Sequence, residues 1–393
     1  MSGITLNDRI HRRSGHVAVP YKNCMLVWGG YMEQMLDADV EIAYSTYHPT
    51  DEIWVYNCLT EVWCRVLTKG DIPPKVSGCC ALLHGDDLYT FGGYQHKSET
   101  GTTNHLYRLN LKTLEWKRLF PMGDWPVCCD KMAGWVYQDK LYFFGGFGPV
   151  GRCRNEFQIV LEPTSELSPW PTGWNNQLAV YNIELDCWEW PRCRGSIPAP
   201  RAAHAAAISE NRVYVFGGRL RLIRNNELHC LDLDTMTWSG NLTDASKSEC
   251  GVPEGRTWHT LTFISPDKAV LYGGLSQYNA VLNDCWIMSV AGKVTWSEHQ
   301  LPYDHGEPRC SHVACFFPPR LLVHSGLTQP YYKSRLLLTD HAYELLVLPF
   351  APKSLFRLCL DVVCQNNQFL KSEYPTLPVN LQSIISARLN NPS

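Results

Sequence analysis

Short apolar runs, rich in Val, Tyr, Phe and Trp and broken by Gly and Pro, follow one another through most of the chain. Runs of about four to six residues with this composition form half-buried β-strands, because successive strand side chains face opposite sides of a sheet. After Pro352 the period changes. In KSLFRLCLDVVCQNNQFL the apolar positions Leu355, Leu358, Cys359, Val362 and Val363 recur at helical spacing, and Ser354 stands where an N-cap belongs. The pattern predicts an all-β body followed by a short α-helical tail.

The body is internally repetitive. A diglycine closes an apolar run in LVWGG (Gly29, Gly30), YTFGG (Gly92, Gly93), YFFGG (Gly145, Gly146), YVFGG (Gly217, Gly218) and VLYGG (Gly273, Gly274), and LVHSG (Ser325, Gly326) is a degraded sixth copy. Each clean copy continues into a variable loop, a strand of the type NELHCLDL, a turn and a tryptophan: Trp63, Trp116, Trp188, Trp238 and Trp296. Arg-x-x-His precedes several copies, as Arg13 and His16, Arg201 and His204, Arg256 and His259, and Arg309 and His312. A unit of this size cannot bury its faces alone, and its length and turn density fit a four-stranded propeller blade. Diglycine then serves close backbone approach near the channel, tryptophan fills the interface between blades, and the Arg-x-x-His pairs tie strands together. The interval from Gly145 to Gly217 is the longest, with its excess in 148–174, where Trp170, Pro171 and Trp174 lie. That loop and the acidic, aromatic loop 31–49 are expected to wall the rim.

These copies resemble the kelch repeat over roughly residues 11–350. The resemblance implies a six-bladed kelch β-propeller at 11–350, an N-terminal tail at 1–10 and a helical segment at 351–393.

Composition removes several function classes. A net charge of -3 among 393 residues supplies no field that gathers nucleic acid or an acidic membrane surface. No apolar run is long enough to span a bilayer and the first residues carry no apolar signal segment, so a soluble protein of cytoplasm or nucleus is expected. The 17 cysteines are scattered through strand-like runs without a CxxC pair, which argues against a disulfide framework and a zinc site. Cys79-Cys80 and Cys128-Cys129 are strand neighbours whose side chains face opposite ways.

Local chemistry concentrates in blade four, where GGRLRLIRNNEL puts Arg219, Arg221 and Arg224 directly after the diglycine. Blade five offers Arg256-Thr257-Trp258-His259, and blade three offers Lys131, Phe147 and Trp174. Two guanidiniums beside a hydroxyl suit a carboxylate, since the planar fork matches two oxygens; solvated loop charge is the plainer reading of the same arginines. The run GGRxxxxRxNxLHxLxLDTxTW followed by GRTWHTL is similar to that of the kelch domain-containing protein one and two subfamily, substrate receptors of cullin RING ubiquitin ligases that recognise C-terminal glycine degrons. The resemblance implies that Arg219, Arg224 and Thr257 hold a peptide's terminal carboxylate. It also implies that Trp174 and Trp258 form walls, that Lys131 contacts the peptide backbone, and that Tyr31 lines the mouth. Phe147 stands where a relative has tyrosine, and Thr257 where it has serine, which changes the groups that meet residues upstream of the glycine.

In the tail, Ser354-Leu355-x-x-x-Cys359-x-x-x-Val363 resembles the BC box that binds elongin B/C, and Leu377-Pro378-x-x-Leu381 resembles the cullin-2 box. The implied partners are elongin B/C, cullin-2 or cullin-5 with a RING subunit, and substrate proteins ending in glycine. Packing of the helix against the propeller's side is the plainer alternative. Kelch propellers that carry copper, or iron in a Glu-x-x-x-Asp-x-x-x-Cys motif, represent the enzymatic alternative. The iron motif is missing from this chain, no nucleophile with a base stands out, and neither cofactor nor metal is expected. A kelch interaction scaffold with no ligase role is the remaining reading.

Overall fold

The computed structural model describes residues 4–5, 10–35, 43–95, 101–150, 157–163, 171–243, 251–301, 306–329 and 340–390. Its body is a ring of antiparallel sheets, one per repeat. Blade one contains Val17–Tyr21, Cys24–Trp28, Glu52–Asn57 and Val62–Leu67, ordered from the inside outwards. Blades two to five repeat this four-stranded order, and blade six has Val313–Phe317, Arg320–His324 and Leu345–Pro349 among the described residues. Ile4–Thr5 adds a short strand to the outer edge of blade one.

Two closed circuits of backbone hydrogen bonds make the sixfold ring explicit. Before each innermost strand sits one residue in the left-handed region: Gly15, Gly78, Lys131, Ala203, Trp258 and Ser311, with φ between 55° and 63°. The N–H of each donates to the carbonyl of its counterpart in the preceding blade, at 2.8–3.0 Å for five links and 3.4 Å for the last, from Gly15 to Ser311. In the second circuit Gly30, Gly93, Gly146, Gly218 and Gly274 donate to the next blade, and Gly326 closes onto the Arg13 carbonyl at 3.0 Å. No described blade borrows a strand from the other end of the chain; these backbone links and the packing of blade six on blade one close the ring.

Packing follows the same order. In blades one to four the side chain before the diglycine meets the tryptophan of the following blade: Trp28 with Trp116, Phe91 with Trp188, Phe144 with Trp238 and Phe216 with Trp296, all at 5.1–5.2 Å between ring centroids. His324 of blade six meets Trp63 of blade one at 5.2 Å in the same way. The tryptophans therefore fill the interfaces between blades, where large aromatics remove the most apolar surface from water.

The Arg-x-x-His arginines are interior braces. Arg13, Arg201 and Arg256 donate to the carbonyls of Gly29, Gly217 and Gly273 at 3.2, 3.0 and 3.0 Å, and Arg256 grips Asp284 with two nitrogens at 2.6 and 2.7 Å. In blades two and three Val76 and Cys129 occupy the arginine's place in the circuit, and apolar packing replaces the brace.

The tail forms α1 (Leu355–Gln365), α2 (Asn367–Leu370), a 3-10 turn (Lys371–Thr376) and α3 (Val379–Asn390). Ser354 caps α1, its hydroxyl accepting from the Arg357 N–H at 3.3 Å. Glu61, in the turn joining the two outer strands of blade one, pairs with Arg357, with Arg320 at 3.0 Å and with Arg388 at 3.7 Å. Arg357 and Arg388 also donate to the carbonyls of Cys58 and Leu59. Antiparallel strands put this turn at the end of the blade opposite the loop that follows the diglycine. The tail thus fastens beneath the propeller, away from the loop face.

Candidate functional site

The first residue after each diglycine bridges the residue preceding the left-handed circuit position of its own blade: Ser14 with Tyr31, Ser77 with Tyr94, Asp130 with Phe147, Ala202 with Arg219 and Cys310 with Leu327. Thr257 and Leu275 pair in the same slot of blade five. One geometric position, repeated six times around the channel, therefore carries Tyr, Tyr, Phe, Arg, Leu and Leu. The circuit forms the floor of a cavity of about 650 Å³, and all six of its residues line it.

Four of the expected residues, Tyr31, Lys131, Arg219 and Trp258, line this cavity. Phe147 and Trp174 stand behind them with ring centroids 5.0 Å apart. The Lys131 ammonium lies 5.9 Å from the Phe147 ring and the Arg219 guanidinium 5.9 Å from Trp174, so the two aromatics connect the two cations. Lys131 also pairs with the buried Asp130, whose carboxyl burial pushes upward while the ammonium opposes the shift. Arg219 donates its Nε–H to the Arg221 carbonyl.

Arg224 lies opposite Arg219 in a two-residue-per-strand hairpin and is 7% exposed. Its N–H donates to Gln277 at 2.5 Å. Gly255 lets blade five pass against it, since a Cβ there would come 2.0 Å from the Arg224 carbonyl oxygen. Burial raises the Cys310 thiol to about 12, and the nearby Arg224 guanidinium opposes that rise. Thr257 is 1% exposed, and its Oγ1 finds no hydrogen-bond partner among the described residues. An unsatisfied buried hydroxyl costs about 1–3 kcal/mol, so this one needs a reason to be retained.

His16, His204, His259 and His312 line the cavity as well. Burial lowers His204 and His312 to about 3, and His16 and His259 well below the usual range, so all four are neutral near pH 7. The cavity's positive charge is that of its arginine and lysine. Among the described residues, no group of three or more His, Cys, Asp or Glu side chains is arranged to hold a metal ion.

Several lining residues were not singled out in the sequence: Glu33, Ser45, Tyr47, Ser77, Tyr94 and Asp130. Tyr94 was accessible by aligning the repeats, since it follows the second diglycine as Tyr31 follows the first. Tyr47 and Ser45 depend on the register of the hairpin Tyr31–Met35/Ala43–Tyr47, which pairs Tyr31 with Tyr47 and Glu33 with Ser45. Trp170 and the middle of the loop 31–49 lie outside the described residues.

The tail residues divide by exposure. Leu355, Leu358 and Val362 are 77%, 47% and 54% exposed, Cys359 is exposed and Val363 half-buried, whereas Arg357 and Leu360 face the protein. The alternative of the apolar face packing against the propeller's side is not what the structure has: arginine contacts fasten the helix and leave most of that stripe outside. Leu377 and Leu381 are half-buried and Pro378 exposed at the start of α3. No described helix is long and apolar enough to cross a membrane.

A match to the family described as the KLHDC2/KLHL20/DRC7 Kelch-repeats domain covers residues 15–238 and 171–343. Kelch domain-containing protein 1 of Mus musculus is 38% identical over 382 residues, spanning 94% of this chain and 88% of that protein. Kelch domain-containing protein 2 of Bos taurus and of Homo sapiens are each 36% identical over 393 residues, spanning 96% of this chain and 91% of theirs. With the repeat order, the closed ring and these relatives in agreement, the chain belongs to the kelch-repeat propeller family of Kelch domain-containing proteins 1 and 2.

Proposed function

We propose that this chain is the substrate-recognition subunit of a cullin-RING E3 ubiquitin ligase: its propeller holds the C-terminal carboxylate of proteins ending in glycine, and its tail docks on elongin B/C and on cullin-2 or cullin-5. The observation that carries the first half is the convergence of Arg219, Lys131, Tyr31 and Trp258 on one cavity, with Arg224 and the unsatisfied Thr257 hydroxyl buried beside it. A carboxylate is the ligand that answers all of these groups. It accepts from guanidinium forks and from a hydroxyl, and each charge-assisted bond contributes about 1.5–3 kcal/mol. Glycine fits at the end because aromatic walls leave little room for a Cβ and glycine accepts positive φ readily. The chain itself breaks no bond in this reading; ubiquitin transfer is done by other subunits.

The exposed apolar stripe of α1 supports the second half. A helix that presents Leu355, Leu358, Cys359 and Val362 to water while held rigidly from behind is suited to a groove on a partner. The match of Leu355, Cys359 and Val363 to the BC box makes elongin C that partner, with Leu377, Pro378 and Leu381 turned to the cullin.

Affinity of the full chain for a peptide ending in Gly-Gly, beside its amidated form and one ending in Gly-Ala, tests the pocket. The free-acid glycine peptide is expected to bind alone and to lose about tenfold or more on Arg219→Ala or Arg224→Ala. Equal binding, or none, by all three overturns the degron reading. For the tail, Leu355→Ala with Cys359→Ala is expected to abolish elongin B/C capture in a pull-down while changing stability by less than about 0.5 kcal/mol, since both side chains are exposed. Retained capture sinks the BC-box assignment and leaves an interaction scaffold.

A further inference from the structure

The cavity has two chemically different sides. Arg219 belongs to blade four and Lys131 to blade three, while the hairpin Tyr31–Met35/Ala43–Tyr47 rises from blade one. In a ring of six blades, one and four face each other across the channel. Residues two apart on a strand share a face, so Tyr31 and Glu33 look the same way, as do their partners Tyr47 and Ser45. All four line the cavity. The Tyr31 and Tyr47 rings lie with centroids 5.8 Å apart, tilted 31° to one another. Glu33 therefore sits one strand repeat, about 7 Å, farther along this wall from the floor than Tyr31. Arg219 occupies the same slot in blade four as Tyr31 in blade one, so it lies at floor level.

We infer that Glu33 is a specificity-determining residue that selects a basic side chain upstream of the ligand's terminal carboxylate. This inference rests on the carboxylate reading of the same cavity. A chain whose end is held low on the blade-four side must climb past the blade-one wall to leave. An extended peptide rises about 3.3 Å per residue, so the 7 Å step corresponds to about two residues before the terminal one. A lysine or arginine there meets the Glu33 carboxylate across the mouth, with the Tyr31, Tyr47 and Ser45 side chains beside it. An acidic residue at the same place meets a like charge in a partly desolvated site and is rejected. Glu33 is 9% exposed in the ligand-free chain, so a cation reaching it exchanges much of its water for the carboxylate.

The test uses the full chain and free-acid peptides ending in Gly that differ only in carrying Lys, Ala or Glu at the second and third positions from the end. Fluorescence anisotropy is expected to rank Lys above Ala above Glu, with about tenfold or more between the extremes. In Glu33→Gln, which keeps size and hydrogen bonding, the spread is expected to fall to about twofold, and in Glu33→Lys the order is expected to invert. Melting temperature of both variants checks that the hairpin is intact. Equal affinity for the three peptides, with each still lost on amidation, overturns the role of Glu33 and leaves the carboxylate site standing. A Lys preference that persists undiminished in Glu33→Gln also overturns it. Failure of every glycine-ended peptide to bind removes both readings together.

Discussion

Thr257 and Arg224 illustrate how single residues trade stability for recognition. A hydroxyl that is 1% exposed and without a partner among the described residues weakens the fold. Thr257→Val keeps the branched shape and removes only that group. It is expected to leave the melting temperature unchanged or raised while weakening free-acid glycine peptide binding about tenfold, both measurable on one preparation. A melting temperature that falls, with affinity retained, would mean the hydroxyl serves the fold. The presence of threonine before tryptophan was legible in GRTWHTL, but its buried, unsatisfied state was not. Burial depends on blade five lying against blade four at Gly255 and Arg224, residues about half a repeat apart in sequence.

At the scale of elements, the tail shows the limit of reading amphipathicity. The helical period in KSLFRLCLDVVC correctly located α1 and its Ser354 cap. Period alone cannot say which face turns inward, and here three arginines decide. Arg320, Arg357 and Arg388 converge on Glu61, so the helix is held by its polar side. Glu61→Ala removes the carboxylate shared by Arg320, Arg357 and Arg388, leaving only Arg388 with another carboxylate partner, Asp361, and is expected to cost about 1–3 kcal/mol. Hydrogen exchange should then speed up in α1 and α3 while the backbone circuit around the channel stays protected. Uniform loss of protection across the propeller would show that Glu61 supports the ring rather than the tail. Because the tail sits on the face opposite the cavity, a ligand in the mouth and a partner on α1 do not compete for space.

Across the whole molecule, acid sensitivity comes from a layer of buried histidines, four from the Arg-x-x-His pairs together with His48 and His324. His48, His204 and His312 are lowered to about 3, and His16, His259 and His324 well below the ordinary value, in each case chiefly by burial. The unfolded chain protonates these groups near pH 6.5 and the folded chain does not. Unfolding therefore takes up protons, and stability falls as pH drops below about 6.5, by up to about 1.4 kcal/mol per unit for each such histidine. Urea unfolding followed from pH 7 to pH 5 is expected to show a midpoint that falls steadily; a flat profile would mean that these histidines are already protonated in the fold. Strand type, blade count, the diglycine slots, the interblade tryptophans and the helical tail were determined by the amino-acid sequence, since each is a local choice of period, turn residue or side-chain size repeated until it is unmistakable. The tertiary structure alone decided which post-diglycine residues share a mouth, that Glu33 and Arg219 line one cavity, and that the tail's apolar stripe looks outward. Those relations join residues from opposite blades or opposite ends of the chain, and only closing the ring brings them into range.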